Sequence, residues 1–109
     1  MISWTDFEKI EMRVGTIIEI KDFPEAKKPA YQLTVDFGEY GYKKSSAQIT
    51  SIYTKDELKG RQVIAVVNFP PKQIAGFFSE CLILGVYNEH NKVVLLSPSM
   101  QVKNGCRIG

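Results

Sequence analysis

The sequence is poor in the residues that usually carry chemistry. It has one histidine, one tryptophan and two cysteines in 109 residues. Cys81 lies inside an apolar run and Cys106 near the end, so they make no disulfide framework, and no Cys/His pair has zinc spacing. His90, in Asn88-Glu89-His90-Asn91, reads as a solvated hairpin tip with no base partner or nucleophile near it in sequence. Asp56-Glu57 reads as the first turn of a helix rather than an acid/base pair. Gly15, Gly38, Gly41 and Gly85 are too scattered to cradle a phosphate or form a dinucleotide fingerprint. The expectation is a protein that is not an enzyme, with no catalytic residues, no metal and no cofactor. Long apolar runs are missing as well. The longest is Val63-Ile64-Ala65-Val66-Val67, far short of the roughly 20 residues that span a bilayer. The opening Met-Ile-Ser-Trp-Thr-Asp has neither a basic start nor an apolar signal segment. A cytoplasmic location without membrane insertion is therefore expected.

What is present is ordinary for a globular chain: 44% hydrophobic and 24% charged residues. The length argues for a single domain over residues 1–109. A compact monomer of this mass exposes roughly 6,100 Å² of surface, about one third of what its unfolded chain exposes. Fourteen basic side chains face twelve acidic ones, a net charge of +2. Residues 1–60 carry 9 basic and 10 acidic groups, residues 61–109 carry 5 and 2. This mild polarity permits a nucleic-acid ligand without demanding one, and few phosphates would be contacted.

Hydrophobic periodicity predicts a β protein. Thr5-x-x-Glu8 reads as a capping box opening a short helix with Phe7 and Ile10 on one side. Met12, Val14, Ile18 and Ile20 alternate with Arg13, Gly15, Ile17 and Glu19, a strand with one buried face. Tyr31, Leu33, Val35 and Phe37 face inward against Gln32, Thr34 and Asp36. A turn over 38–41 leads into a polar strand over 42–49. Thr54 caps one or two helical turns that Gly60 stops. Strands over 62–69 and 80–87 are apolar on both faces, and a short strand over 93–96 precedes the tail.

Five or more short strands, with one helical interruption between the third and fourth, predict an all-β fold. The expected architecture is a five-stranded OB-fold barrel with short helices and terminal extensions, and a small β-sandwich is the alternative. A small barrel needs only one apolar face per strand. The second apolar face of strands 62–69 and 80–87 must be covered by the terminal segments, by another subunit, or by both. That surplus argues for a homodimer.

Two segments have the composition of binding surfaces. Along Tyr42-Lys43-Lys44-Ser45-Ser46-Ala47-Gln48, lysines and hydroxyls can meet phosphates and base edges on a barrel face. The same pattern also suits an exposed strand kept soluble by lysine. Residues 69–78 set Phe69, Ile74, Phe77 and Phe78 around the stiff Pro70-Pro71 corner. Loops seldom carry so many apolar side chains unless they pack on something. Either this segment plugs the barrel's open end, or it is a groove for extended apolar peptide built from Phe69, Pro70, Pro71, Ile74, Phe77 and Phe78.

Several strings then become recognisable. Asp6-Phe7-Glu8-Lys9-Ile10-Glu11-Met12-Arg13-Val14-Gly15-Thr16-Ile17 resembles the opening signature of tRNA-binding domains of the EMAP II and methionyl-tRNA synthetase C-terminal kind. Gly76-Phe77-Phe78-Ser79-Glu80 and Leu95-Leu96-Ser97-Pro98 resemble that superfamily too. Phe23-Pro24-Glu25-Ala26, Ser45-Ser46-Ala47-Gln48-Ile49-Thr50 and Ala65-Val66-Val67-Asn68-Phe69-Pro70-Pro71 resemble its bacterial export-related chaperone branch, CsaA. The likeness runs to the closing Asn104-Gly105-x-x-Ile108-Gly109.

The resemblance implies an OB-fold homodimer completed by its terminal segments. It implies a cytoplasmic chaperone that holds unfolded export precursor proteins, with the preprotein translocation ATPase as a further partner. It also implies tRNA binding on the barrel face. Arg13, Lys43, Ser46, Asn68, Lys72 and Ser79 carry across as tRNA-binding residues, and Lys44 joins them on charge. Asn68 has a structural reading as well, its amide satisfying backbone groups at a strand end. Ser79-Glu80-Cys81-Leu82 departs from the tRNA-binding relatives, which have uncharged polar, small and methionine residues after the serine. An acidic Glu80 and a stiffer Leu82 there are expected to weaken RNA recognition while leaving the fold intact.

Overall fold

The alternation between Tyr31 and Phe37 builds the centre of the molecule. In the computed structural model, which describes residues 1–109, these inward side chains are at most 8% exposed. In chain order the elements are α1 (Trp4–Glu8), β1 (Met12–Asp22), β2 (Tyr31–Asp36), a 3₁₀ turn (Gly38–Tyr40), β3 (Tyr42–Ala47), α2 (Lys55–Leu58), β4 (Gln62–Val66), β5 (Lys72–Ile74), β6 (Phe77–Ser79), β7 (Leu82–Ile83), β8 (Gly85–Tyr87) and β9 (Val93–Leu95). The main antiparallel sheet runs β3-β2-β1-β4-β7, while β5-β6 and β8-β9 are separate hairpins.

Contacts after β6 nearly close that sheet on itself. The Glu80 N–H donates to the Lys44 carbonyl at 2.7 Å, and the Glu80 carboxylate accepts the Lys44 N–H at 2.9 Å. Ser45 Oγ, itself buried, donates to the Cys81 carbonyl at 3.1 Å. The result is the expected five-stranded OB-type barrel. Ile17, Leu33, Val35, Phe37, Leu58 and Val63 fill it. The helix α2 lies between β3 and β4 as expected, capped by Thr54 with Glu57 reaching back. Those hydrogen bonds from Thr54 hold the Glu57 carboxyl below its ordinary range.

Four expectations are corrected. The first capping box is Ser3 with Asp6, not Thr5 with Glu8: Ser3 is extended and accepts the Asp6 N–H, so Thr5 is already inside the helix. In β1 the barrel-facing set is Gly15 and Ile17 rather than Val14 and Ile18: Ile17 is fully buried and Ile18 is 36% exposed. A bulge between Ile17 and Glu19 then shifts the phase, so that Ile20 returns to the core. Residues 72–79 form a hairpin rather than a loop, turned by Ala75 and Gly76 at φ 48° and 82°. Finally, the strand over 80–87 is split, with β7 on β4 and β8 on β9.

Gly15 shows how tightly the barrel closes around β2: a Cβ there would meet Val35 at 2.6 Å and the Phe37 ring at 2.8 Å. The outer face of β1 and β4 is covered by the C-terminal tail, the terminal-segment part of the expected cover. Val14 N–H donates to the Cys106 carbonyl, Gly105 N–H to the Val14 carbonyl, and the Gln62 side chain clasps both polar groups of the tail at Val102. Even so, the chain exposes 7,270 Å², against roughly 6,100 Å² for a compact monomer of its mass. Met1, Ile2, Trp4 and Met100 are among the most exposed apolar side chains. No helix is long and apolar enough to cross a membrane.

Candidate functional site

Where the β5–β6 hairpin leaves the barrel, Phe69, Pro70, Lys72, Ser79, Cys81 and Leu82 line a cavity of about 300 Å³. Lys72 and Ser79 are cross-strand partners, so both side chains lie on one face of the hairpin. Pro70-Pro71 stiffens the approach from β4 and sets Phe69 on the rim, 55% exposed. Leu82 faces it from the start of β7, 49% exposed. The groove thus has two apolar walls, one cation and one hydroxyl. It combines residues expected to meet RNA with residues expected to meet polypeptide.

The other RNA candidates separate into two groups. Lys43, Lys44 and Ser46 lie on β3, beside the groove through the Ser46 N–H, which donates to Ser79 Oγ at 3.2 Å. Lys43, Lys44 and Lys72 enter none of the ion pairs of the chain. Arg13 and Asn68 stand apart, because their side chains are occupied. The Arg13 guanidinium, 12% exposed, pairs with Glu11 at 2.7 Å, donates to the Gly105 carbonyl at 2.8 Å and stacks on Tyr40 at 3.7 Å. Its hydrogen bond to Glu11 raises its pKa above the usual guanidinium value against the desolvation that lowers it. The Asn68 amide accepts the Glu11 N–H and donates to the Lys9 carbonyl, the structural role the strand end suggested.

The polypeptide candidates separate three ways. Phe69 and Pro70 line the groove. Ile74 and Phe77, cross-strand partners, are half-buried, and Phe77 packs edge-to-face on buried Phe23 at 5.4 Å. Pro71 and Phe78 are exposed outside the groove, with Phe78 on the opposite face of β6 from Ser79. Sequence reasoning did not select Cys81 and Leu82 as lining residues. They meet Phe69 only through the return of the hairpin, and no local pattern encodes that register.

The Glu80 carboxylate accepts the Lys44 backbone N–H at the barrel seam. Burial pushes the Cys81 thiol up to about 12, only partly opposed by Lys43, so it is a protonated packing group at neutral pH. No group of three or more His, Cys, Asp or Glu side chains is arranged to hold a metal. His90 is exposed at the β8–β9 turn.

Residues 12–107 match the family described as "Putative tRNA binding domain". The chain is 36% identical over 107 residues to a methionine–tRNA ligase of Thermococcus onnurineus, covering 98% of this chain but 14% of that protein. It therefore spans about one seventh of such relatives. Among solved structures, the chaperone CsaA of Bacillus anthracis superposes with a TM-score of 0.95 at 50% identity, covering 100% of this chain and 99% of the other. The CsaA chaperone protein of Picrophilus torridus gives 0.94 at 55% identity, with both chains covered in full. A methionyl-tRNA synthetase-related protein of Pyrococcus horikoshii gives 0.88 at 28% identity, over 100% and 98%. The chain belongs to the tRNA-binding domain family and, within it, groups with the CsaA chaperones.

Proposed function

We propose that this chain is a non-catalytic, cytoplasmic chaperone that holds unfolded export precursor polypeptides as a homodimer and also binds tRNA on the barrel face. The observation that carries the reading is the groove of Phe69, Pro70, Lys72, Ser79, Cys81 and Leu82. Its exposed apolar walls suit the side chains of an extended segment, and its cation and hydroxyl suit a phosphate. Holding needs no nucleotide, in keeping with a sequence that has no phosphate loop. The preprotein translocation ATPase is the acceptor of held precursors that the CsaA resemblance suggests. The dimer is supported by the surface excess and by a second apolar concavity of about 470 Å³. Ile2, Trp4, Phe7 and Gly109 line it where the two chain ends meet. Sedimentation should give twice the chain mass.

A second reading, a tRNA-binding protein without a holding role, is favoured by the unpaired Lys43, Lys44 and Lys72. One pair of measurements separates the two. Aggregation of a heat-unfolded client should be suppressed at stoichiometric amounts without refolding, and Phe69→Ala with Leu82→Ala should weaken that suppression. Full suppression by the folded double variant removes the groove from the holding role. No suppression by the wild type leaves the second reading alone. Affinity for tRNA should fall steeply with added salt, and Lys43→Glu with Lys44→Glu should abolish it. A titration flat in salt rejects the RNA half.

A further inference from the structure

Residues assigned to two ligands line one small space. Phe69 and Pro70 came from the apolar segment, Lys72 and Ser79 from the RNA-facing set, and all four wall the same cavity of about 300 Å³. That volume is near the lower end for a site that takes one small ligand. It has room for one planar base or one large side chain.

We propose that an unpaired nucleotide of RNA occupies this groove and thereby excludes polypeptide from it. The inference rests on the two-ligand reading above. The argument for the nucleotide is charge and shape. The Phe69 ring and the Leu82 side chain are each about half exposed across the groove, an apolar slot in which a base can stack. Lys72 on the rim has no acidic partner to give up. Ser79 Oγ is held in place by the Ser46 N–H. The neighbouring carboxylate, Glu80, is held on the Lys44 N–H at 2.9 Å at the barrel seam. Lys43, whose charge acts on the Cys81 thiol, extends the positive surface beside the groove, while Lys44 projects from the opposite face of β3.

A base inside a duplex cannot enter such a slot, because its faces are stacked and its edge is paired. The groove therefore selects RNA with splayed bases, such as loops and single-stranded ends. Exclusion is reciprocal by linkage: whatever tRNA does to polypeptide affinity, polypeptide does to tRNA affinity by the same factor. RNA abundance would then set how many grooves are free for clients.

The test uses the full chain with two labelled probes, tRNA and a net-neutral extended peptide rich in Phe and Leu, followed by fluorescence anisotropy. The apparent Kd of the peptide should rise in proportion to tRNA concentration with no plateau, and saturating tRNA should return the peptide to its free anisotropy. Polyuridylate should compete and an RNA duplex of equal length should not. Phe69→Ala should weaken both probes about tenfold, the loss of one stacked ring, while Phe78→Ala, outside the groove, should weaken neither. A plateau while both binary complexes form overturns exclusion and leaves the two-ligand reading standing. Absence of either binary complex overturns both. Equal competition by the duplex overturns the unpaired nucleotide as occupant. If Phe69→Ala weakens only the peptide, RNA does not use the groove.

Discussion

The first three strands and the segments after β4 follow different rules. Strands β1, β2 and β3 have 11, 6 and 6 residues and share long ladders, while no strand after β4 exceeds 3. The early strands direct most of their large apolar side chains inward, with Ile18 and Tyr42 as exceptions. The later segments leave Phe69, Phe78, Val86 and Tyr87 more than half exposed and Leu82 49% exposed. The charge divides in the same sense, with the acidic excess in residues 1–60 and the basic excess in 61–109. The long ladders supply the fold, and that lets the short hairpins hold apolar and cationic groups in positions that contribute little to stability. The groove therefore collects where the strands are shortest, while Lys43, Lys44 and Ser46 remain on the long strand β3.

Stability should break this comparison open most visibly. Leu33→Ala removes a 1% exposed side chain from the barrel centre and should cost ~2–5 kcal/mol by urea unfolding. Phe69→Ala removes a larger side chain that is 55% exposed and should stay within about 0.5 kcal/mol. Comparable losses in both would mean that the groove side chains belong to the core.

How far this division was legible depended on how local its causes are. The inward set of β2 could be read at sight, because alternation needs only the strand itself, and α2 followed from Thr54 and Gly60. In β1 the same rule took the wrong face, because Val14 is buried beside the tail and not in the barrel, and it gave no sign of the bulge that returns Ile20 to the core. The hairpin 72–79 was missed because Pro70-Pro71 signalled a loop, although Ala75-Gly76 supplied the turn. The groove was the least legible part. Lys72 and Ser79 were named for RNA and Phe69 for peptide, but only the return of the hairpin puts them in one cavity with Leu82. Arg13 read only as an RNA ligand, whereas Asn68 also read as a backbone partner at a strand end; their partners lie 92 and 59 residues away in sequence.

The next largest effect lies at the seam between the two regions, where Cys81 is buried beneath β3. Its thiol is raised from 9.0 to about 12, chiefly by burial. A folded pKa above the unfolded one means that the stabilisation is complete below pH 9 and is lost as pH climbs toward 12. Over that window the thiol term should remove about 1.4 kcal/mol per pH unit, a slope that Cys81→Ala should relieve in alkaline denaturation. At neutral pH, exposed Cys106 should react with a thiol reagent long before Cys81 does. Equal rates would show that the seam opens readily.

The smallest effect gives the finest separation, because it sets one cation of each region against the other. Arg13 holds the tail through Glu11, Gly105 and Tyr40, whereas Lys72 holds nothing and stands at the groove. Arg13→Ala leaves the Gly105 carbonyl and the Glu11 carboxylate without that partner, so the thermal midpoint should fall by several degrees. The slope of log K for tRNA against log salt should be unchanged, since no phosphate contact is lost. Lys72→Ala should do the converse: an unchanged midpoint, and a salt slope reduced by about one. If Arg13→Ala also lowers the slope in a variant that is still folded, Arg13 serves RNA as well as the tail, and the boundary drawn between the stabilising strands and the binding hairpins lies in the wrong place.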